Sequence, residues 1–292
     1  MISPSLFPPA SPVPPWLKIL RFLPEWFPGK WRLSHALIER VRLEGPVEIE
    51  SGGLRWRVPS IKEPIALGLI ASGVYDPATC AVIQKALPCH GTFLDVGANV
   101  GIMTVKAGVQ WCPEGHVIGF EASPRIHAWL KGNLCLNGLE QVTVLNRAVT
   151  ERSGDFMTFF DAPDAKFGMG SLANRFGSAE QHVESICLDD AVSQAGVSHV
   201  DVIKVDVEGF ELGVFRGARR ILSQSRPPLI VFEFNDWAEE QPELHQRAGD
   251  AQRFLLECGY KLQTVGSFLA GGRPHESVLI QGGADLVATR EH

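Results

Sequence analysis

Three acids stand in this sequence where carboxylates can do chemistry: Asp95, Glu121 and Asp206. Each closes a short apolar run of the kind that forms a buried parallel strand, at residues 92–96, 117–121 and 200–206. Asp95 is followed by Gly97-Ala98-Asn99-Val100-Gly101, a glycine-spaced turn that opens a helix. Glycine lets the backbone turn tightly and come close to a ligand, and Asn99 tolerates left-handed backbone. A turn of this kind is expected to present backbone N–H groups to a bound nucleotide. Glu121 lies twenty positions after Gly101, where a Rossmann-like unit places the acid that accepts hydrogen bonds from ribose hydroxyls. Asp206 ends a central strand beside the first turn, in the crevice where open α/β sheets bind ligands.

The turn departs from a dinucleotide fingerprint in two ways. Its spacing is Gly-x-x-x-Gly, not Gly-x-Gly-x-x-Gly. A carboxylate two residues before the first glycine also repels a pyrophosphate. It suits a ligand with a positive amino group and no phosphate, such as S-adenosylmethionine. An NAD-dependent oxidoreductase is therefore disfavoured. The candidate bases rank Asp206, then Glu208, then Glu233 on the strand at 229–234. Glu208 and Glu211 also start a helix, where an acid interacts favourably with the helix dipole. His127, His182 and His199 are further candidates, although a lone histidine is more often structural. The reading assigns no metal site. An Mg²⁺ ion held by Asp206, Glu233 and Asn235 is kept as the alternative, because their oxygens suit a hard cation.

The elements that must position these residues follow from patterning. From Phe93 onward strands alternate with helices, which implies a parallel, doubly wound sheet. Helices are expected from 124, over 207–224 and over 244–258, with a third strand at 142–145. Two inserted strands, 155–160 and 182–188, flank a glycine-rich loop at 161–181 that is long enough to be a lid or substrate loop. Two closing strands, 260–265 and 277–281, are joined through Gly271-Gly272-Arg273-Pro274. Ahead of the core, residues 46–58 read as a hairpin turning at Gly52-Gly53, and Asp76-Pro77 starts a helix over 78–87. The organisation expected is an N-terminal extension over 1–45, a hairpin and helix over 46–90, and a ligand-binding domain over 91–285.

The extension differs in character from the rest. Residues 1–15 are rich in Pro and Ser and read as extended or disordered. Residues 1–42 carry six Lys/Arg and two Glu, a net of +4. The whole chain is −6, so the remainder carries −6 − 4 = −10. A basic, aromatic-rich segment can lie on an anionic membrane. Packing on the main domain is favoured instead, because Pro24 and Pro28 interrupt the segment. The overall charge and a pI near 5.9 give no signal for a nucleic-acid partner. The six cysteines form no Cys-x-x-Cys pair, so reduced thiols in a cytoplasmic protein, peripheral to a membrane at most, are expected. Neither a signal-peptide pattern nor an apolar run of about 18 residues is seen.

Three blocks now coincide: Phe93-Leu-Asp95-Val-Gly97-Ala-Asn99-Val-Gly101, Gly119-Phe-Glu121-Ala-Ser-Pro124, and Ile203-Lys204-Val-Asp206-Val-Glu208-Gly209-Phe-Glu211. With Asp189-Asp190 ahead of the third, the chain resembles the FkbM family of S-adenosylmethionine-dependent methyltransferases over about residues 75 to 282. The resemblance implies a seven-stranded, Rossmann-like class I methyltransferase sheet, six strands parallel and the last antiparallel. It implies that Asp95 and the Gly97–Gly101 backbone, including Ala98 and Asn99, bind the methionine part of the cofactor. It places Glu121 and Ala122 at the ribose and the loop carrying Ala148 at the adenine. Asp206 faces the reactive end, where it is expected to contact the cofactor's amino group, the acceptor hydroxyl, or both. The acceptor implied is a hydroxyl of a sugar, glycan or natural product. A catalytically silent nucleotide-binding scaffold on the same fold is the alternative.

Overall fold

The strand Thr92–Val96 is buried along its whole length, as a strand covered on both faces must be. The computed structural model describes residues 9–24, 27–162, 170, 172, 180–240, 246–275, 277 and 279–291. Among these, the strands are β1 (Ser11–Pro12), β2 (Val47–Ser51), β3 (Leu54–Val58), β4 (Thr92–Val96), β5 (His116–Phe120), β6 (Thr143–Leu145) and β7 (Ala148–Val149). They continue with β8 (Phe156–Phe160), β9 (Glu180–Ile186), β10 (Val202–Val205), β11 (Leu229–Asn235), β12 (Lys261–Thr264) and β13 (Gly283–Thr289). Seven of them form one sheet in the order β12-β13-β11-β10-β4-β5-β6. β4, β5, β6, β10 and β11 run parallel, and β13 is antiparallel to both β11 and β12. This is the doubly wound α/β sheet with an antiparallel last strand that the sequence implied. The inserted strands β8 and β9 pair antiparallel and join β7 in a separate small sheet.

Register does specific work at the centre. β10 lies against β4 with Lys204 opposite Asp95 and Val205 opposite Val96. Each strand then ends at the same level, so Gly97, Glu121 and Asp206 emerge along one edge of the sheet.

The elements before β4 share a core with it. Leu17 and Leu20 of a 3₁₀ helix (Pro15–Phe22) and Ile38 of the helix Lys30–Glu39 pack with Ile49, Trp56, Val100 and Leu130. Two asparagines one turn apart on the helix Pro124–Leu136 and its C-cap fix the hairpin. The Asn133 amide donates to the Arg57 and Val100 carbonyls and accepts from Arg57 N–H. Asn137 does the same with both backbone groups of Arg55. Each thus acts as a strand partner for the free edge of β3.

Three expectations need correction. The last strand is Gly283–Thr289, not 277–281. Ile280 exchanges both its backbone groups with the Gln252 side chain instead of a strand. The helix expected to run to 224 is broken into Glu211–Arg216 and Arg219–Leu222. Gly217 packs against the Thr150 carbonyl, 2.2 Å from where a Cβ would stand, and Asp189 caps the second piece by accepting from Arg220 and Ile221 N–H. The helix expected from 244 is Asp250–Glu257, entered through Gly249 at φ +81°. Residues 1–8, Trp26 and most of the 161–181 loop lie outside the described residues, while the rest of the Pro/Ser-rich start forms β1 and leads into the 3₁₀ helix.

Gly97 has φ +75°, and a Cβ there would stand 1.8 Å from the Asp206 carbonyl oxygen. Gly97→Ala combines left-handed strain with a backbone clash, so it is expected to destabilise the fold by about 2–5 kcal/mol. Urea unfolding of the purified variant measures this; an unchanged midpoint contradicts the close approach.

Candidate functional site

The strand ends enclose a cavity of about 240 Å³ lined by Gly97, Asn99, Glu121, Ala122, Ala148, Asp206, Glu208 and Glu233, among others. Gly97, Asn99 and Gly101 all have positive φ, as the turn demanded. Its amides, however, do not face the cavity as expected. Gly97 and Ala98 N–H both donate to the Phe120 carbonyl, at 3.0 and 2.9 Å. Asn99 N–H donates to Glu121 Oε2 at 2.9 Å, Val100 N–H to Asn99 Oδ1 at 2.8 Å, and Gly101 N–H to the Ala98 carbonyl at 2.9 Å. All five donors are used within the fold, so this turn has nothing to offer a diphosphate.

Glu121 is 6% exposed. Its Oε1 accepts from Ser123 N–H and its Oε2 from Asn99 N–H, each at 2.9 Å. A carboxylate has about four acceptor positions, so two remain. Burial pushes this carboxyl up to about 7, against the opposing pull of the two N–H bonds.

Asp95 does not line the cavity, contrary to expectation. It is fully buried, accepts from Thr104 Oγ1 at 2.6 Å, and lies 3.7 Å from Lys204 Nζ. Its cross-strand position opposite Lys204 sends it under the turn. Gly101 is likewise outside the lining, and Ala98 borders a second hollow.

Lys204, 12% exposed, joins these parts. Its ammonium donates to the Gly97 carbonyl at 2.9 Å and lies 3.3 Å from Asp206 Oδ2. Burial alone would lower its pKa; the Asp206 and Asp95 carboxylates outweigh burial and hold it charged. On the far side of Asp206 stands Glu233. Burial first, then the Asp206 charge and a hydrogen bond to it, push the Glu233 carboxyl above the usual carboxylate range. The closeness of Asp206 thus disfavours the charged form of Glu233. Glu208 sits beside them with φ +57°. Its strained turn is held by Glu211, whose Oε1 accepts from Val207 and Gly209 N–H, each at 3.2 Å. Burial raises Glu211 to about 8. Glu211 is therefore a loop clamp as well as an acid in the first turn of its helix, where the sequence placed it.

Asp206, Glu208 and Glu233 each bring a carboxylate oxygen within 4.8 Å of the others. The oxygens of these three suit a hard divalent ion, while the Lys204 ammonium, 3.3 Å from Asp206 Oδ2, already offers that carboxylate a cation. Asn235, offered with Asp206 and Glu233 as the alternative metal set, lies outside the lining of the cavity. The histidines stand elsewhere: His127 near the Val144 carbonyl, His182 on β9 and His199 3.2 Å from Asp201.

The sequence reading missed Glu63, which lines the cavity while accepting from Ile65 N–H at the start of the helix Pro64–Ala71. A Glu directly before Pro at a helix start was its only signal. Tyr75 also lines it, and burial raises the phenol's pKa. Gly170 and Leu172, from the long loop, complete the wall.

This sheet order, with acids at the ends of β5 and β10 around one cavity, defines a class I methyltransferase fold. Residues 95–262 match the model of the methyltransferase FkbM domain, more than half of the chain, so the chain belongs to that family. It is a methyltransferase whose cofactor is S-adenosyl-L-methionine. It is 28% identical over 197 residues to the 2-O-methyltransferase NoeI of Sinorhizobium fredii, covering 61% of this chain and 79% of NoeI. It is 28% identical over 160 residues to the methyltransferase sdnD of Sordaria araneosa, covering 45% of this chain and 61% of sdnD. Among solved structures, the O-methyltransferase from Bacillus cereus in complex with SAH is similar with a TM-score of 0.42 and 13% identity, covering 73% of this chain and 80% of that one.

Lys204→Met leaves the Asp95 carboxylate buried without its cation. Breaking a buried pair from one side costs about 3–5 kcal/mol. The loss is expected to shrink at low pH, where Asp95 takes a proton and becomes neutral. Denaturant midpoints of both proteins across the acid range measure the effect; a pH-independent loss contradicts it.

Proposed function

We propose that the protein O-methylates a hydroxyl of a sugar, glycan or other natural product, with Asp206 as the base. The Lys204–Asp206–Glu233 line carries this reading: one carboxylate, oriented by an ammonium on one side and a carboxylic acid on the other, at the cavity wall. S-adenosyl-L-methionine supplies a methyl group on a positively charged sulfur. The chain's residues bind, align and manage the proton. Glu121 accepts from the ribose hydroxyls with its two remaining acceptor positions. Ala122 and Ala148 flank the nucleoside. Asp206 accepts the proton of the acceptor hydroxyl. Glu233 keeps its own proton and holds Asp206 by a hydrogen bond. Alignment supplies much of the rate in such a reaction, and a base adds about 10²–10⁴. The name of NoeI, a 2-O-methyltransferase, supports a hydroxyl acceptor.

Two outcomes test this. Ribose hydroxyls need the ionised form of Glu121, which forms as pH rises through about 7. Cofactor affinity is therefore expected to be full above that value and to fall by up to roughly tenfold per pH unit below it. Calorimetric titration measures this, and Glu121→Gln should remove the pH dependence while weakening binding by about 1–3 kcal/mol. An unchanged affinity in folded Glu121→Gln places the ribose elsewhere. Asp206→Asn is expected to lower turnover by about 10²–10⁴ with cofactor affinity largely retained. The acceptor for that assay is found by comparing metabolites and glycans of cells with and without the protein for the mass of one methyl group. Near-normal turnover excludes Asp206 as the base.

A further inference from the structure

The 3₁₀ helix Pro15–Phe22 carries an apolar ridge that the fold leaves uncovered. Three residues make a turn of such a helix, so side chains at i and i+3 eclipse. One edge, Leu17 and Leu20, is buried in the core shared with Ile38 and Val47. The second edge is basic, Lys18 and Arg21, and the Arg21 guanidinium donates to the Glu50, Leu69 and Ile70 carbonyls. The third edge is Trp16, Ile19 and Phe22, which are 53%, 64% and 85% exposed. Single exposed apolar side chains are ordinary; three large ones aligned on one edge are not. The helix Lys30–Glu39 touches this one and adds exposed Trp31 and Leu33, with Phe27 just before it. Of the ten large apolar side chains exposed among the described residues, six lie between 16 and 33. The pattern is therefore local to this segment and not a general property of the surface.

Charge identifies the occupant. Lys18, Arg32, Arg40 and Arg42 of the same segment are exposed, and residues 1–42 carry +4 against −10 for the rest of the chain. A second copy seated here would bring two basic segments together. An anionic lipid surface attracts this segment and repels the remainder, which also sets the orientation. Trp and Phe favour the headgroup level of a bilayer, and the ridge, six residues at roughly 2 Å rise, has the length to lie in that layer. Among the described residues no helix is long and apolar enough to cross a membrane. We propose that the Trp16–Ile19–Phe22 ridge and its basic flanks seat the protein on the surface of an anionic lipid bilayer.

The test is co-sedimentation of the full chain with vesicles of phosphatidylcholine alone and of phosphatidylcholine mixed with phosphatidylglycerol. The protein is expected to partition onto the mixed vesicles, less onto neutral ones, and less again at high salt. The triple variant Trp16→Ser, Ile19→Ser, Phe22→Ser should lose roughly tenfold or more of that partitioning. These side chains face solvent, so its melting temperature and cofactor affinity should match those of the unchanged protein. Lys18→Glu with Arg32→Glu should weaken binding to mixed vesicles alone. Absence of binding to mixed vesicles, or equal binding by the triple variant, overturns the proposal. So does light scattering that shows the unchanged protein as a dimer and the triple variant as a monomer, which would assign the ridge to self-association.

Discussion

The Lys204 ammonium touches the Gly97 carbonyl, Asp95 and Asp206. Those partners belong to the glycine turn, the strand beneath it and the neighbouring strand end. One cation thus ties the cofactor loop to the acid that faces the reacting centre. It is 12% exposed, where an unmatched charge is costly, and its removal would leave both carboxylates without their shared cation. The cross-strand register makes this arrangement inevitable once β4 and β10 pair, because Lys204 and Asp95 are then direct neighbours.

Strain is concentrated in the same place. Asn99 and Glu208, two of the three described non-glycine residues with positive φ, flank the cavity, and each is held by a glutamate: Glu121 accepts from Asn99 N–H and Glu211 from the amides on either side of Glu208. Buried carboxyls normally weaken a fold. Here their acceptor oxygens hold two turns that would otherwise relax, and both turns carry residues of the cavity wall. The site's shape depends on acids whose own ionisation is made difficult by burial.

Much of this was legible in the sequence, for reasons that are local. The turn after β4, the acid after β5 and the acid after β10 announce themselves through short apolar runs, a glycine spacing and a fixed distance, none of which needs tertiary knowledge. What escaped depends on contacts between distant residues. Glu63 reaches the cavity from a helix outside the main sheet. Asp95 turns away from the ligand because of a lysine more than a hundred positions later. The stretch around Ile280 has strand-like composition, yet Gln252 takes its backbone groups and the sheet is closed by Gly283–Thr289. The N-terminal segment divides between both readings: Leu17 and Leu20 pack into the core, while Trp16, Ile19 and Phe22 do not.

Tyr75, Asp206 and Glu233 line a second hollow of about 450 Å³ as well as the cavity, and its wall includes Trp31 and Lys204. The acid pair is thus a wall common to two adjoining hollows. On the proposed function, a donor held in one and an acceptor held in the other would both come within reach of Asp206, so the two ligands would not have to share one space.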